Sequence, residues 1–349
     1  GELADPEEQG AVRLTLADIL LRRGERAEET AGHALDAAHW FDQAGLGAAG
    51  GATARLVLAR AYGAAGRTAE AAEVLQSALP DLLEHGDHVA VQARETLGNL
   101  LRDLRDPRGA SEQYLLAAET AKGWDDPGAQ AHFAQLAAEG LAASGLRTEA
   151  ETAYGRALEL WRRTGDNPVA EVRVLRSLAW LMVQDNSVSV TTTVPRARKL
   201  MEEAADVLDG AEEPGLRYER AQTWQQLADL VMEQLYDYDY DGADEEDSID
   251  EGQADSETPE APTAADTAVQ HEAIALWERA AALYAGLGQD ALDSRVQCLT
   301  RAAWSERALD RQDAALARLT ALRDELAAQE GETARALVAE VETTIGHMR

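Results

Sequence analysis

Arg147–Asp166, RTEAETAYGRALELWRRTGD, sets a pattern that returns along most of this 349-residue chain. Ala150, Tyr154 and Ala157 stand at i, i+4 and i+7, which stacks them on one face of a helix with a large residue between two small ones. The triplet recurs as Ala31/Leu35/Ala38, Ala71/Leu75/Ala78, Ala110/Tyr114/Ala117, Ala197/Met201/Ala204 and Ala273/Trp277/Ala280, with a final Ala315/Leu319/Leu322. Successive first alanines lie 40, 39, 40, 47, 76 and 42 residues apart. Self-similarity at that period, with two insertions, marks a stack of repeated units. The small members read as spacers that let two helices approach.

A partner helix precedes each triplet. Leu58-Ala59 with Tyr62, Leu97-Gly98 with Leu101 and Ala137-Ala138 with Leu141 each place their small residue 12 positions before the first alanine of the next helix, which fixes the turn length. The first hairpin pairs Leu16-Ala17 and Leu20 with the segment Ala27 to Ala44, turning at Gly24. Pro107 falls where a helix should begin, a position that tolerates a missing N–H, and Gly86-Asp87, Asp126-Pro127, Asp166-Asn167-Pro168 and Glu213-Pro214 are stop and restart signals. Alternating Val, Ile and Thr runs are nearly absent, so no strands are expected. Later copies depart. Leu178-Ala179 with Met182 is followed by 18 residues to Ala197, the surplus being a polar loop, Asp185 to Pro195. Leu227-Ala228 with Val231 is followed by 45 residues to Ala273, and Ala302-Ala303 is followed by Glu306 where a large apolar residue should pack. Glu332 to His347 reads as a closing helix.

This pattern resembles the tetratricopeptide repeat (TPR), with Leu-Gly/Ala and a large residue on a first helix, then Ala, an aromatic and Ala on a second. Leu97-Gly98-x-x-Leu101 with Ala110/Tyr114/Ala117 is the best copy. The spacing exceeds the family's usual length of about 34 residues and is similar to the longer variety of bacterial regulators and kinesin light chains. The resemblance implies an all-α chain folded as one α-α superhelix, a solenoid of about seven hairpins at 9–44, 52–85, 88–123, 128–164, 168–210, 215–287 and 290–328, with a capping helix at 331–347.

The resemblance further implies that first helices line a concave groove. Carried over position by position, the groove shows Arg60; Gln92, Glu95, Asn99 and Arg102; His132, Gln135 and Glu139; Arg173, Arg176 and Trp180; Gln222, Gln225 and Asp229; and Gln297, Thr300, Trp304 and Arg307. Asn99 matches the asparagine with which such grooves hold a peptide backbone, while the lysines of the family's clamp for acidic C-termini are missing. Arg and Trp are the types enriched at binding hot spots, so Arg173, Arg176 and Trp180, on one helix face, read as an anchor for a segment with an acidic and an apolar residue. The bland reading stands beside it: the tryptophans pack on a neighbouring repeat and the arginines pair with nearby carboxylates. A non-enzymatic scaffold or adaptor for a protein or peptide is implied, or a regulatory peptide-sensing module, free-standing or part of a larger regulator.

Composition bounds the rest. A net charge of −32 argues against nucleic acid and anionic membranes and favours basic partners. No apolar run reaches membrane-spanning length, and GELADPEEQG lacks the basic and apolar regions of a signal peptide. With a lone Cys298, these features point to the cytoplasm. The absence of an initiator Met points to a trimmed or excised piece. Tyr236 to Pro262, YDYDYDGADEEDSIDEGQADSETPEAP, holds twelve Asp or Glu and no Lys or Arg, a composition that does not pack. Asp237, Asp239, Asp241 and Gly242 reproduce the start of a calcium loop, but Ser248 stands where the bidentate Glu belongs. Calcium binding, a solvated loop and a docking segment for a basic partner all stay open; no other cofactor is expected. Gly45 to Gly51, GLGAAGG, has dinucleotide-loop spacing but follows a helix where a strand is required. No phosphate loop, Gly-x-Ser-x-Gly motif or complete zinc set exists, so no catalysis is expected.

Overall fold

The computed structural model describes residues 5–24, 26–184, 190–236 and 263–349. Among these residues there are fifteen α-helices and no strand. They fall into two compact units, Gly1–Asn167 and Pro168–Arg349. The first holds α1 (Pro6–Arg23), α2 (Ala27–Gln43), α3 (Ala52–Ala64), α4 (Thr68–Leu83), α5 (Asp87–Asp103), α6 (Pro107–Ala121), α7 (Pro127–Ala143) and α8 (Arg147–Thr164). The second holds α9 (Pro168–Val183), α10 (Val190–Val207), α11 (Pro214–Met232), α12 (Ala264–Ala285), α13 (Leu292–Ala308), α14 (Gln312–Ala327) and α15 (Glu332–Met348). Seven helical hairpins and a closing helix result. None of these helices is long and apolar enough to cross a membrane.

Within each unit every helix packs on the next in sequence, and odd-numbered helices also meet one another, α1 with α3, α3 with α5, α9 with α11 and α13 with α15. The odd helices of a unit therefore share one side. The expected stripe on the even helices is buried throughout α4, α6, α8, α10, α12 and α14, and it has a fourth member at i+11: Leu82, Ala121, Trp161, Leu208, Tyr284 and Leu326. The first copy is corrected. Leu35 is 52% exposed, and the stripe on α2 runs one residue earlier, through Thr30, Ala34, Ala37 and Phe41. Phe41 sets that register. Its ring fills the space over Gly10 and Gly50, where an added Cβ would lie 3.1 and 2.6 Å from ring carbons. Gly50 lies in Gly47–Gly51, a π-helical turn leading into α3, whose other glycines Gly47 and Gly51 lie against Asp42 and Arg55.

Local chemistry explains the ends. Proline opens α1, α6, α7, α9 and α11, where a missing N–H costs nothing. Asp106 and Asp126 cap α6 and α7 by accepting from the amides of Gly109 and Gly128. Thr263 and Asp266 form a reciprocal capping box where the chain enters α12. The turn between paired helices is a left-handed residue, Gly66, Arg105, Gly145 or Asp310. In each case the next amide, of Arg67, Asp106, Leu146 or Arg311, donates to the carbonyl of Tyr62, Leu101, Leu141 or Glu306.

Two further expectations change. Val190 to Pro195 is not loop: it forms the first turns of α10, because Val194, 1% exposed, continues the stripe of Ala197, Met201 and Ala204 back by one turn. Glu306 does pack, through charge. It is 3% exposed and accepts two hydrogen bonds from Arg318, which also pairs with Glu278. The calcium candidates Asp237, Asp239 and Asp241 lie outside the described residues.

The left-handed turns generate a stability test. Arg105 and Asp310 hold φ of 64° and 56°, where glycine carries no steric cost. Arg105→Gly and Asp310→Gly should each raise the guanidinium unfolding midpoint by the equivalent of about 1 kcal/mol, and Gly66→Ala should lower it comparably.

Candidate functional site

On the side shared by the odd helices of the first unit, α3 lies beside α5. On each, one residue follows the small member of the Leu-Ala/Gly pair, Arg60 on α3 and Asn99 on α5. Between the two helices lies an open cleft of about 300 Å³ lined by Arg60, Gly63, Gln92, Glu95, Thr96, Asn99 and Leu100. Arg60 and Gln92 are exposed, and Asn99 is half-buried. Four of the residues assigned to a groove from the sequence are thus brought together. Arg102, one turn beyond Asn99, is exposed outside this lining.

Asn99 is held from behind. Its Oδ1 accepts from the Tyr114 hydroxyl at 2.8 Å. Tyr114 is 1% exposed, and burial pushes its phenol up to about 12, so it stays a donor at any physiological pH. Gly98 makes the approach feasible, since a Cβ there would lie 2.6 Å from the Tyr114 ring.

The same device recurs. Trp277 Nε1 donates to Asp229 Oδ1 at 2.9 Å and the Tyr284 hydroxyl to Gln225 Oε1 at 3.0 Å. Trp161 Nε1 donates to Gln135 Oε1 at 3.1 Å. Asp229 stands directly after Ala228, as Asn99 does after Gly98, and it also pairs with Arg301. Tyr114, Trp161, Trp277 and Tyr284 of the even helices are therefore more than filling: their polar tips fix acceptors on the odd helices. Sequence reading missed this role. The signal was present, because the aromatics at Tyr114 and Trp277 coincide with polar residues at Asn99 and Asp229, whereas Leu75 coincides with Arg60.

The anchor expected on α9 is not assembled as an open site. Arg176 is 7% exposed and its guanidinium is taken by Glu219 of α11, with Nη2 at 2.8 Å from Oε2 and Nη1 at 3.2 Å from the Glu219 carbonyl. Burial lowers its pKa and the Glu219 carboxylate opposes that shift. Arg173, over half exposed, bonds to the other oxygen of Glu219. Trp180 is half-buried, packs on the core of its unit and donates to Gln226 Oε1 at 3.3 Å. This is the packed alternative for these three residues. Gln222 and Gln225 lie half-buried on α11, Gln225 being engaged by Tyr284.

On α13 the outcome differs. Trp304 is 41% exposed, the Arg307 guanidinium carbon sits 5.3 Å from its ring centre, and Arg307 Nη1 donates to the His347 carbonyl at 3.0 Å. An aromatic plate backed by a cation is thus presented beside α15. Cys298 of the same helix is fully buried, and burial, assisted by the Asp229 carboxylate, pushes its thiol up to about 12.

Two outcomes follow. Glu219→Gln should cost unit Pro168–Arg349 about 3–5 kcal/mol in denaturant unfolding, because Arg176 keeps its burial and loses its counter-charge. Cys298, whose thiolate is disfavoured in the folded state alone, should ignore a thiol reagent at pH 8 and react fully in denaturant. Because its folded pKa lies above the unfolded value, its contribution to stability is complete below about pH 8.5 and declines as pH rises toward 12. Cys298→Ala should reduce the alkaline loss.

No protein-family model matches the chain, and no curated protein matches it in sequence. Solved structures do match. BtubC (BKLC) from P. vanneervenii aligns with a TM-score of 0.50 at 17% identity, covering 76% of this chain and 94% of that one. A Signal Transduction ATPase with Numerous Domains (STAND) protein with a tetratricopeptide repeat sensor, from Pyrococcus horikoshii, aligns with a TM-score of 0.54 at 13% identity, covering 98% of this chain and 52% of that one. Identities this low speak to the fold alone. Together with the hairpins described above, they give this all-α chain a fold of tetratricopeptide-repeat type.

Proposed function

We propose that this chain is a non-enzymatic binding module that takes an extended protein or peptide segment against the side shared by the odd helices of its first unit. The observation that carries this reading is the α3–α5 cleft, in which Asn99 is positioned before any ligand arrives. With its oxygen committed to Tyr114, Asn99 offers a ligand its N–H groups. Arg60 adds a cation and Glu95 a carboxylate at the same opening. Such a set suits a peptide backbone carbonyl flanked by side chains of mixed charge, and prior positioning lowers the entropy lost on binding. Trp304 with Arg307 supplies a separate aromatic contact in the second unit. The twelve carboxylates of Tyr236 to Pro262 would draw a basic partner from a distance.

A peptide array probed with the purified chain tests this reading. Asn99→Ala and Arg60→Ala should each weaken the best peptides about tenfold. Peptides bound equally well by both variants, or none retained above background, would remove the cleft from consideration. Trp304→Ala examines the second unit in the same assay. X-ray scattering with a bound peptide separates an adaptor from a sensor, since only a sensor should change its radius.

A further inference from the structure

Helix α1 is apolar on two opposite faces. Ala17 and the partly buried Leu14 and Leu21 pack into the core. On the other side Val12, Leu16 and Ile19 are 59%, 38% and 45% exposed. With Arg23, also exposed, they follow the 4, 3, 4 spacing of a two-helix seam. The closing helix α15 behaves differently: its buried face carries Leu337, Val341 and Ile345, and its exposed positions include Glu332, Glu340, Thr343 and His347.

We propose that the exposed face of α1 pairs with α1 of a second copy of this chain, antiparallel, about a two-fold axis passing between Thr15 and Leu16. The charge pattern selects this occupant. Val12 and Ile19 lie at equal distances on either side of that point, so each meets the other in the partner. Glu8 and Arg23, both exposed, lie equally far out, about 11 Å along the helix in each direction at 1.5 Å per residue. An antiparallel pair therefore sets each Glu8 against the partner's Arg23 while Leu16 closes the centre. A parallel pair would set like charges against each other at both ends. A two-fold contact needs such a self-complementary patch. The net charge of −32 opposes association, but salt near 0.15 M confines that repulsion to about 8 Å.

Sedimentation velocity of the full chain in 0.15 M salt tests the proposal, from about 5 to about 300 μM, the range expected for a small, transient interface. Wild type should shift from monomer to dimer across that range, and Leu16→Glu should stay monomeric. Glu8→Arg and Arg23→Glu alone should each weaken dimerisation about tenfold, and the double exchange should restore it, because both cross-pairs re-form. Circular dichroism checks each fold, which substitutions at exposed positions should spare. Independently, a mixture of Val12→Cys and Ile19→Cys chains should oxidise mainly to the mixed disulfide. Wild type remaining monomeric at the highest concentration, a double exchange that fails to restore dimers, or preferential Val12→Cys self-linkage would overturn the proposal.

Discussion

Two helices approach only as closely as the side chains between them permit. In this chain alanine sets that limit. Ala71 and Ala78, Ala110 and Ala117, Ala150 and Ala157 are all essentially inaccessible, and each pair flanks a larger residue that enters the facing helix. Close approach without a methylene to spare means that any bulky residue at the seam must find an opening made for it. Gly98 opens for Tyr114, and Gly10 and Gly50 open for Phe41. Shape, rather than apolar mass, holds the repeats in register, consistent with aromatics making up only 5% of the chain.

A tight seam has a chemical by-product. A tyrosine or tryptophan driven through it brings its O–H or N–H to the far side, where an unpaired donor would be costly. Asn99, Gln135, Gln225 and Asp229 stand there to accept. Residues on the odd helices are thereby oriented by the core beneath them, so packing and recognition surface are built by the same bonds.

Much of this was legible in the sequence, because the period, the 12-residue offset and the proline and glycine stops are all local. The failures share a cause. Leu35 looked like the large member of the first triplet since it sits between two alanines, but the competition with Phe41 is decided by Gly10, on a different helix. Arg176 looked available because arginine is usually solvated, yet its counter-charge stands 43 residues on. Glu306 looked misplaced for the same reason, its partner Arg318 lying one helix away. Val190 to Pro195 looked like loop from polarity alone, although Val194 was in step with Ala197 and Met201. Spacing reports which face a residue occupies, and only the neighbouring helix decides what that face meets.

Glu219 has a mechanical meaning as well. Its carboxylate grips Arg173 and Arg176, which lie one turn apart on α9. A clamp on two successive turns resists both sliding and rolling, because either movement stretches at least one directional bond. The second unit carries further directional ties of this kind, Arg318 on Glu306 and Glu278 and Trp277 on Asp229, so the α9–α11 joint is one of several that are held against sliding.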